Sequence, residues 1–430
     1  MNRQDENDTH GTDAATGARE GLSHAIDSVP DHDEDLASAA DGRPDGPHIS
    51  WSALFPEHVD LAPAGEAVDG RKLPARGGVY AFIGDDERIV QVMAAESVRR
   101  TALARLNQPV ADGSSKRADL RAVTRRIAWR PTWSRFETSW VYLSIARRLW
   151  PTSYRRRLGF GPAYFATVDL DGRLPRWRVE EYAWNPGRRE VGPFARRGHC
   201  AAFIETLVDL FDLCRDYAIL ERVPDGRPCS YFDMGRCPAP CDGSVSLDAY
   251  RSMMRASYAF AIGRGEERLS EWEGRMQEAA GQRDFARAQR IKETLARARK
   301  SLRRDGPVVP TPDTFRYLVV QRGRGRSTVI PYFVRAGAID QGAAATIDEV
   351  PHIGIQWMEA ARRTVDETAA DRIEQSGHIW LVTHFLAKGE SAPGLFLHVD
   401  ELPTPDNLAA IVRQKFARAS AAGESDATNA

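Results

Sequence analysis

Three of the chain's five cysteines fall in one short stretch, RPCSYFDMGRCPAPCDG, residues 227–243. With Cys214 upstream, the set Cys214, Cys229, Cys237 and Cys241 is spaced by 15, 8 and 4 positions, and Cys200 lies 14 before Cys214 on what reads as the same helix. Thiolates are soft donors that hold zinc or an iron–sulfur cluster. Zinc sites usually pair cysteines closely, and here only Cys237 and Cys241 are so paired; the others are strung out singly. Three outcomes are open on spacing alone: a cluster, a zinc ion, or unmetallated buried thiols. The N-terminal MNRQDENDTH has no apolar core for a signal peptide, which predicts a cytoplasmic chain whose thiols stay reduced. Metal ligation is therefore expected before disulfides.

A second chemistry lies in the distribution of charge. The formal net charge of -1 conceals an acidic segment, residues 1–47, with twelve Asp/Glu against three Arg, and a basic one, residues 99–157, with fifteen Arg/Lys against three Asp/Glu. Such a local excess predicts a polyanionic partner. Arg99, Arg100, Arg105, Arg125, Arg126, Arg147, Arg148, Arg155 and Arg156 are the candidate contacts to a nucleic-acid backbone. Trp129, Trp133, Trp140 and Trp150, interleaved with them, are expected in the core.

The elements that must position these groups follow from pattern. With 430 residues, 42% hydrophobic and 28% charged, the chain suits several compact domains of α+β class. No run approaches the roughly 20 apolar residues of a membrane helix, so no membrane partner is expected. Residues 1–50 are acidic and poor in large apolar side chains, which predicts disorder. GGVYAFIGDDERIVQVM (77–93) predicts a β-hairpin, 94–106 a helix, and SWVYLSIARRLW (139–150) a helix ended by Pro151. AYFATVDLDGRLPRWRVEEY (163–182) predicts two strands, 199–217 and 247–263 helices, and 266–303 a helical hairpin broken at AAGQRDF. After a proline linker come a strand pair (315–339), a helix (357–375), a strand (378–386), a helix near 404–418 and a polar tail.

In this order the pieces resemble UvrC, the nuclease subunit of bacterial nucleotide excision repair, and its shorter relatives. LPARGGVYAF (73–82) resembles the entry to a GIY-YIG nuclease domain, and VGPFARRG (191–198) the stretch after it. The cysteine segment with AYRSMMRASYAFAIG is similar to the family's next segment. RMQEAAGQRDFARAQRIKETL (275–295) is similar to the UVR hairpin, and 314–340 to the β-rich segment beyond. The resemblance implies a GIY-YIG-like domain over 51–185, a cysteine-cluster segment over 186–263, a UVR-like hairpin over 264–304 and a C-terminal α/β domain over 313–420, between tails 1–50 and 421–430. It implies a four-iron four-sulfur cluster on Cys229, Cys237 and Cys241 with Cys214 as fourth ligand, at a slightly unusual offset. It also implies a UvrB-like partner docking on residues 266–300 through Phe285. Residues 345–430 are too few for the family's RNase H-like nuclease, whose absence is expected.

The family's nuclease site needs a first-strand Tyr, a second-strand Tyr, a helical Arg and a metal-binding Glu. These make a nucleophile, neutralise developing charge and hold a divalent ion. The first Tyr matches Tyr80. The second position falls on Gln91, the Arg on Thr101 with Arg99 and Arg100 just before it, and the Glu between Tyr142 and Ser144; Glu137 is the nearest carboxylate. Gln has no proton to give up near neutrality, and Mg²⁺ is ordinarily held by carboxylates. The resemblance with these replacements predicts a DNA-binding, catalytically degenerate domain. One alternative is a divergent endonuclease making a single incision with Tyr80, Arg99 or Arg100, and Mg²⁺. Another is a regulator of repair that does not touch DNA.

Overall fold

The computed structural model describes residues 40–41, 46, 49–62, 68–107, 120–158, 162–181, 184, 187–263, 266–303, 306–363 and 371–427, with side chains for all except 40, 41, 156, 301–303 and 417–427. The disorder expected of residues 1–39, 42–45, 47–48 and 428–430, and the side chain of Arg156, lie outside that description; residues 421–427, also expected to be disordered, are instead the end of the last helix, Pro405–Ala427.

Strand β3 (Gly78–Ile83) is buried at all of its residues, and its neighbour β4 (Ile89–Ala95) at most. With β1 (Ala40–Asp41), β2 (Glu57–Asp60) and β5 (Arg126–Pro131) they form a sheet of order β1-β4-β3-β5-β2. Both faces are covered. Helix α1 (Val98–Leu106) packs on Tyr80, Phe82, Met93, Ile127 and Trp129. Helices α2 (Arg135–Leu149) and α3 (Tyr154–Leu158) pack on Val79, Ala81, Ile83, Val92 and Ala128. Double coverage explains the unbroken apolar run GVYAFI, where a half-exposed strand would alternate. The expected hairpin is present, whereas β5, which pairs with β3 from Gly78↔Pro131 to Ile83↔Arg126, sits in a stretch that reads as merely basic. Ala40 pairs with Val92 and Asp41 with Gln91, so a short strand lies within the segment expected to be wholly disordered.

The middle of the chain builds a second sheet, β7-β6-β8, from β6 (Tyr164–Val168), β7 (Trp177–Glu180) and β8 (Arg189–Phe194). Helix α4 (Arg197–Leu210) lies on it, followed by the cysteine segment and α5 (Leu247–Ala261). The expected hairpin is α6 (Glu266–Gly281) and α7 (Phe285–Arg303). Its base joins the same core through Trp272, Ile291, Leu295 and Ala298. Trp272 donates its indole N–H to Leu210 O at 2.9 Å, which completes the exposed carbonyl end of α4.

A third sheet, β11-β10-β9-β13 with β12 beside β10, is built from β9 (Arg316–Arg322), β10 (Thr328–Arg335), β11 (Ala338–Gln341), β12 (Ala345–Thr346) and β13 (Leu395–His398). Helices α8 (Val350–Arg362) and α10 (Pro405–Ala427) cover one face and α9 (Arg372–Leu386) the other. Phe136 of α2 and Phe165 of β6 enter the α9 side, so the three sheets share continuous packing. Two expectations are corrected here. The strand read at 378–386 is the second half of α9, which Asp371 caps by accepting from Glu374 N–H at 3.0 Å. Its residues Ser376, His378, Ile379, Leu381, Val382, Thr383 and Phe385 are all buried, and burial on nearly every side erases the helical period that would have marked it. The single helix expected over 357–375 is instead α8 and the start of α9.

Burial pushes the hydroxyls of Tyr80, Tyr250, Tyr317 and Tyr332 well above the usual 10.0, and that of Tyr217 up to about 12. The unfolded chain therefore loses these protons first. Their contribution to stability is complete below the ordinary tyrosine value and declines as pH rises through it toward the folded values. Denaturant midpoints should hold between neutrality and pH 9 and then fall; a flat midpoint to pH 11 would contradict this burial.

Candidate functional site

Helix α4 stops short of Cys214. Asp212 takes φ 49, and Leu213 N–H returns to Val208 O at 3.0 Å, a left-handed helix stop. Cys200 is thus on α4 while Cys214 follows it, a correction to the single helix expected over 199–217. The cysteine loop then closes on itself. Gly226 N–H donates to Cys241 O at 2.9 Å, and a Cβ on Gly226 would stand 2.8 Å from the carbonyl oxygens of both Cys241 and Ile219. No side chain fits that junction. Ala239 and Gly243, with φ 55 and 82, turn the chain on either side of Cys241.

Cys214, Cys237 and Cys241 are buried in the α4–α5–hairpin core, and Cys229 is half-buried at the N-cap of the short helix Ser230–Asp233. The Cys214 thiol also contacts Asp216 O at 3.4 Å. A hydrogen bond from Cys214 holds the Cys237 thiol down at about 7 against the effect of burial. The same bond, followed by burial, pushes Cys214 up. Burial pushes Cys241 up, and the neighbouring Asp242, Cys237 and Cys229 add to it. These four thiols therefore share one electrostatic neighbourhood. Cys200 stands outside it, pushed up to about 12 by burial alone against a nearby Arg197. Among the described residues, no three His, Cys, Asp or Glu side chains are spaced to hold a single metal ion.

Tyr80 faces α1 in the interior. It is 0% exposed, its hydroxyl donates to Met93 Sδ at 3.1 Å, and its ring meets Phe82 edge-on at 5.5 Å. Gln91 is also buried, opposite Phe82. Tyr142, where a metal-binding Glu would fall, packs on the other face of the sheet and donates to Val92 O at 3.3 Å. Glu137 is occupied in capping α2. It accepts from Trp133 N–H at 2.7 Å while its own N–H donates to Ser134 Oγ at 3.1 Å, and burial pushes its carboxyl up. The structure does not bring these positions together.

The arginines divide. Arg99 is half-buried, with Nε donating to Leu73 O at 2.9 Å, and Arg100 is exposed beside it; Arg105 follows on the same helix. Arg125 pairs with Asp85 at 2.7 Å, and Arg126 with Asp60 at 2.6 Å and Glu87 at 2.9 Å. Arg147 ties α2 to α9 through Asp371 and, at 3.0 Å, Glu374. Arg148 is exposed, and Arg155 donates to Tyr154 Oη at 3.0 Å. Trp129 and Trp150 are core residues, as expected, whereas Trp133 and Trp140 are half-buried against the third sheet's cluster. At the far end of the hairpin, Phe285 is 69% exposed at the start of α7, where Asp284 caps the helix through Arg287 N–H at 3.0 Å.

With this geometry in view, residues 164–260 match the family described as UvrC/Cho excinuclease, middle domain. The match runs from β6 through α5 and includes the whole cysteine segment. The chain is 25% identical over 243 residues to UvrABC system protein C of Salinispora arenicola, covering 54% of this chain and 35% of that one. It is 27% identical to that of Acidothermus cellulolyticus (62% and 42% covered) and 27% identical to that of Methanothermobacter thermautotrophicus (63% and 45%). The chain is UvrC-like, and it spans less than half the length of these curated relatives. No solved structure gives a significant match. No helix among the described residues is long and apolar enough to cross a membrane.

The packing of Tyr80 predicts its mutational behaviour. Tyr80→Phe removes one hydroxyl contact and should cost less than about 1 kcal/mol, whereas Tyr80→Ala leaves a core cavity and should cost about 3–5 kcal/mol. Urea denaturation measures both; similar small losses would show that the ring is not packed as described.

Proposed function

We propose that this chain is a DNA-repair protein of the UvrC kind that binds DNA through a GIY-YIG-like domain without cutting it, carries a cysteine-bound iron–sulfur cluster, and docks a UvrB-like partner through its helical hairpin. The observation that carries this reading is the state of Tyr80. A tyrosine with no exposure, its hydroxyl on Met93 Sδ and pushed above its usual range by burial, has no route to a phosphodiester. The position paired with it in the family's chemistry is Gln91, and no carboxylate stands at Tyr142–Ser144 to hold Mg²⁺. Groups that act together in catalysis lose nearly all of their effect when several are missing.

Binding is a separate matter from cutting. Arg99, Arg100, Arg105, Arg148 and Arg155 remain candidates for phosphate contact, while Arg125, Arg126 and Arg147 are engaged by carboxylates of this chain. The four thiols fit a soft metal group by donor type and by their shared electrostatics. The resemblance and the singly spaced cysteines, of which only Cys237 and Cys241 are closely paired, support a cluster, which Cys214, Cys229, Cys237 and Cys241 would hold, over a single zinc. Such a group supplies iron–thiolate cross-links, and its place against α4 and the hairpin base makes its role structural. The exposed Phe285, on a tip whose residues 280–287 are all exposed, supports docking by residues 266–300. A cytoplasmic DNA-repair role is the setting these features suit.

Three measurements test the parts. Fluorescence anisotropy on duplex DNA should show binding that weakens steeply with salt; salt-independent or absent binding would remove DNA from the account. Anaerobically purified protein should contain iron and sulfide, lost in Cys237→Ser and retained in Cys200→Ser; zinc without iron would overturn the cluster. Phe285→Ala should reduce recovery of a UvrB protein in a pull-down by about tenfold or more, as an exposed aromatic anchor does. Equal recovery would count against the tip.

A further inference from the structure

The turn between β9 and β10 reads Arg322-Gly-Arg-Gly-Arg326, and from Arg316 to Arg335 there are five arginines and no Asp or Glu. The turn is held in shape. Gly323 N–H donates to Thr328 O at 2.8 Å, Arg322 donates to Arg326 O at 2.8 Å, and Gly325 takes φ 94. Arg322 is further engaged by Phe416, donating to its carbonyl at 2.5 Å and standing over its ring. Arg324 points the other way, across to the first sheet's unit. Its guanidinium stands 5.9 Å from the ring centroid of Trp133, which also carries Arg76 at 4.3 Å.

Two guanidiniums over one indole ring repel each other, and among the described residues no carboxylate pairs with either to relieve them. Among the described residues neither Arg76 nor Arg324 has an ion pair, and Arg76 Nε is buried with no hydrogen-bond partner. Glu137 is turned to the backbone N–H of Trp133, and Glu96, on the approach to α1, pairs with Arg135. An unpaired, buried guanidinium N–H is costly unless a ligand completes it. The ring is held at the start of α2, whose N-cap is Ser134, so the positive end of a 15-residue helix adds to the field.

The site is also continuous with the arginines of α1. Val98 N–H donates to Arg76 O at 3.0 Å and Arg99 N–H to Pro74 O at 2.9 Å, so Arg76 sits at the entry to the helix that carries Arg99 and Arg100. We propose that Arg76, Trp133 and Arg324 form a phosphate-binding site that extends the DNA track from α1 onto the C-terminal sheet. The ligand is the phosphodiester backbone of duplex DNA. Arg76 and Arg324 each take a phosphate oxygen, and the indole holds both guanidiniums in place by cation–π contact. This rests on the DNA-binding reading above and adds a second unit to it.

The test uses the full chain and a labelled undamaged duplex, with affinity measured across a salt series. Arg76→Ala and Arg324→Ala should each weaken binding several-fold and flatten the plot of log affinity against log salt by about 1, the double variant by about 2, and Arg324→Lys should keep the wild-type slope. Arg324 is exposed on a turn, so Arg324→Ala should leave the unfolding midpoint unchanged, which separates a lost contact from a lost fold. Wild-type binding with unchanged slopes in both alanine variants would overturn this site and leave DNA binding standing. If the wild type shows no salt-dependent binding, the DNA reading and this site fall together.

Discussion

Burial of β3 on both faces is the constraint from which the rest of the N-terminal unit follows. Each large apolar side chain removed from water there contributes roughly 1.5–3 kcal/mol, and Tyr80, Phe82 and Ile83 all do so. Helix α1 must lie on one face and α2 on the other. A tyrosine on such a strand is committed to packing, and its hydroxyl finds a methionine sulfur rather than water. Tyr80 and Gln91 lie on the α1 face of the sheet, whereas Tyr142, a residue of α2, packs on the other.

The remaining units are joined by packing of the same kind. Phe136 and Phe165 reach into the third sheet's cluster, where Phe136 meets Tyr332, Phe385 and Phe396 edge-on. Arg147, half-buried between Asp371 and Glu374, adds an ionic tie between α2 and α9 that exposed surface pairs rarely match. Helix α4 is the footing for both the cysteine loop and the helical hairpin, with Leu210 O accepting from Trp272 and from Arg268. The exposed Phe285 thus stands on an arm whose base is fixed by the segment that carries the cysteines.

What the sequence made legible was the part governed by local pattern. The 77–93 hairpin, the α6–α7 hairpin with its break before Phe285, and the cysteine segment are marked by β-rich runs, helical spacing and Pro/Gly turns. The failures have definite causes. Helix α9 lost its period because it is buried nearly all round. Strand β5 was masked by its arginines, although it lies between β3 and β2 and Arg126 reaches Asp60 and Glu87. Residues 99–157 read as one basic surface, but Arg125, Arg126, Arg135 and Arg147 answer to carboxylates distant in sequence, which no local count reveals. Trp133 is the converse case. It reads as core, and only the fold sets it beside Arg76 and a turn nearly two hundred positions later. The cue was present in the RGRGR turn between two strands, but not its neighbour.

The protein matches the excinuclease's middle domain over residues 164–260, and under the function proposed above its Tyr80, buried in the first sheet, takes no part in cutting. That claim is tested most directly by incision. Purified protein with a damaged duplex, UvrA and UvrB partners, and Mg²⁺ or Mn²⁺ should bind and yield no nick beyond the protein-free control, and Tyr80→Phe should behave identically. A nick that is lost in Tyr80→Phe would contradict the account at its centre.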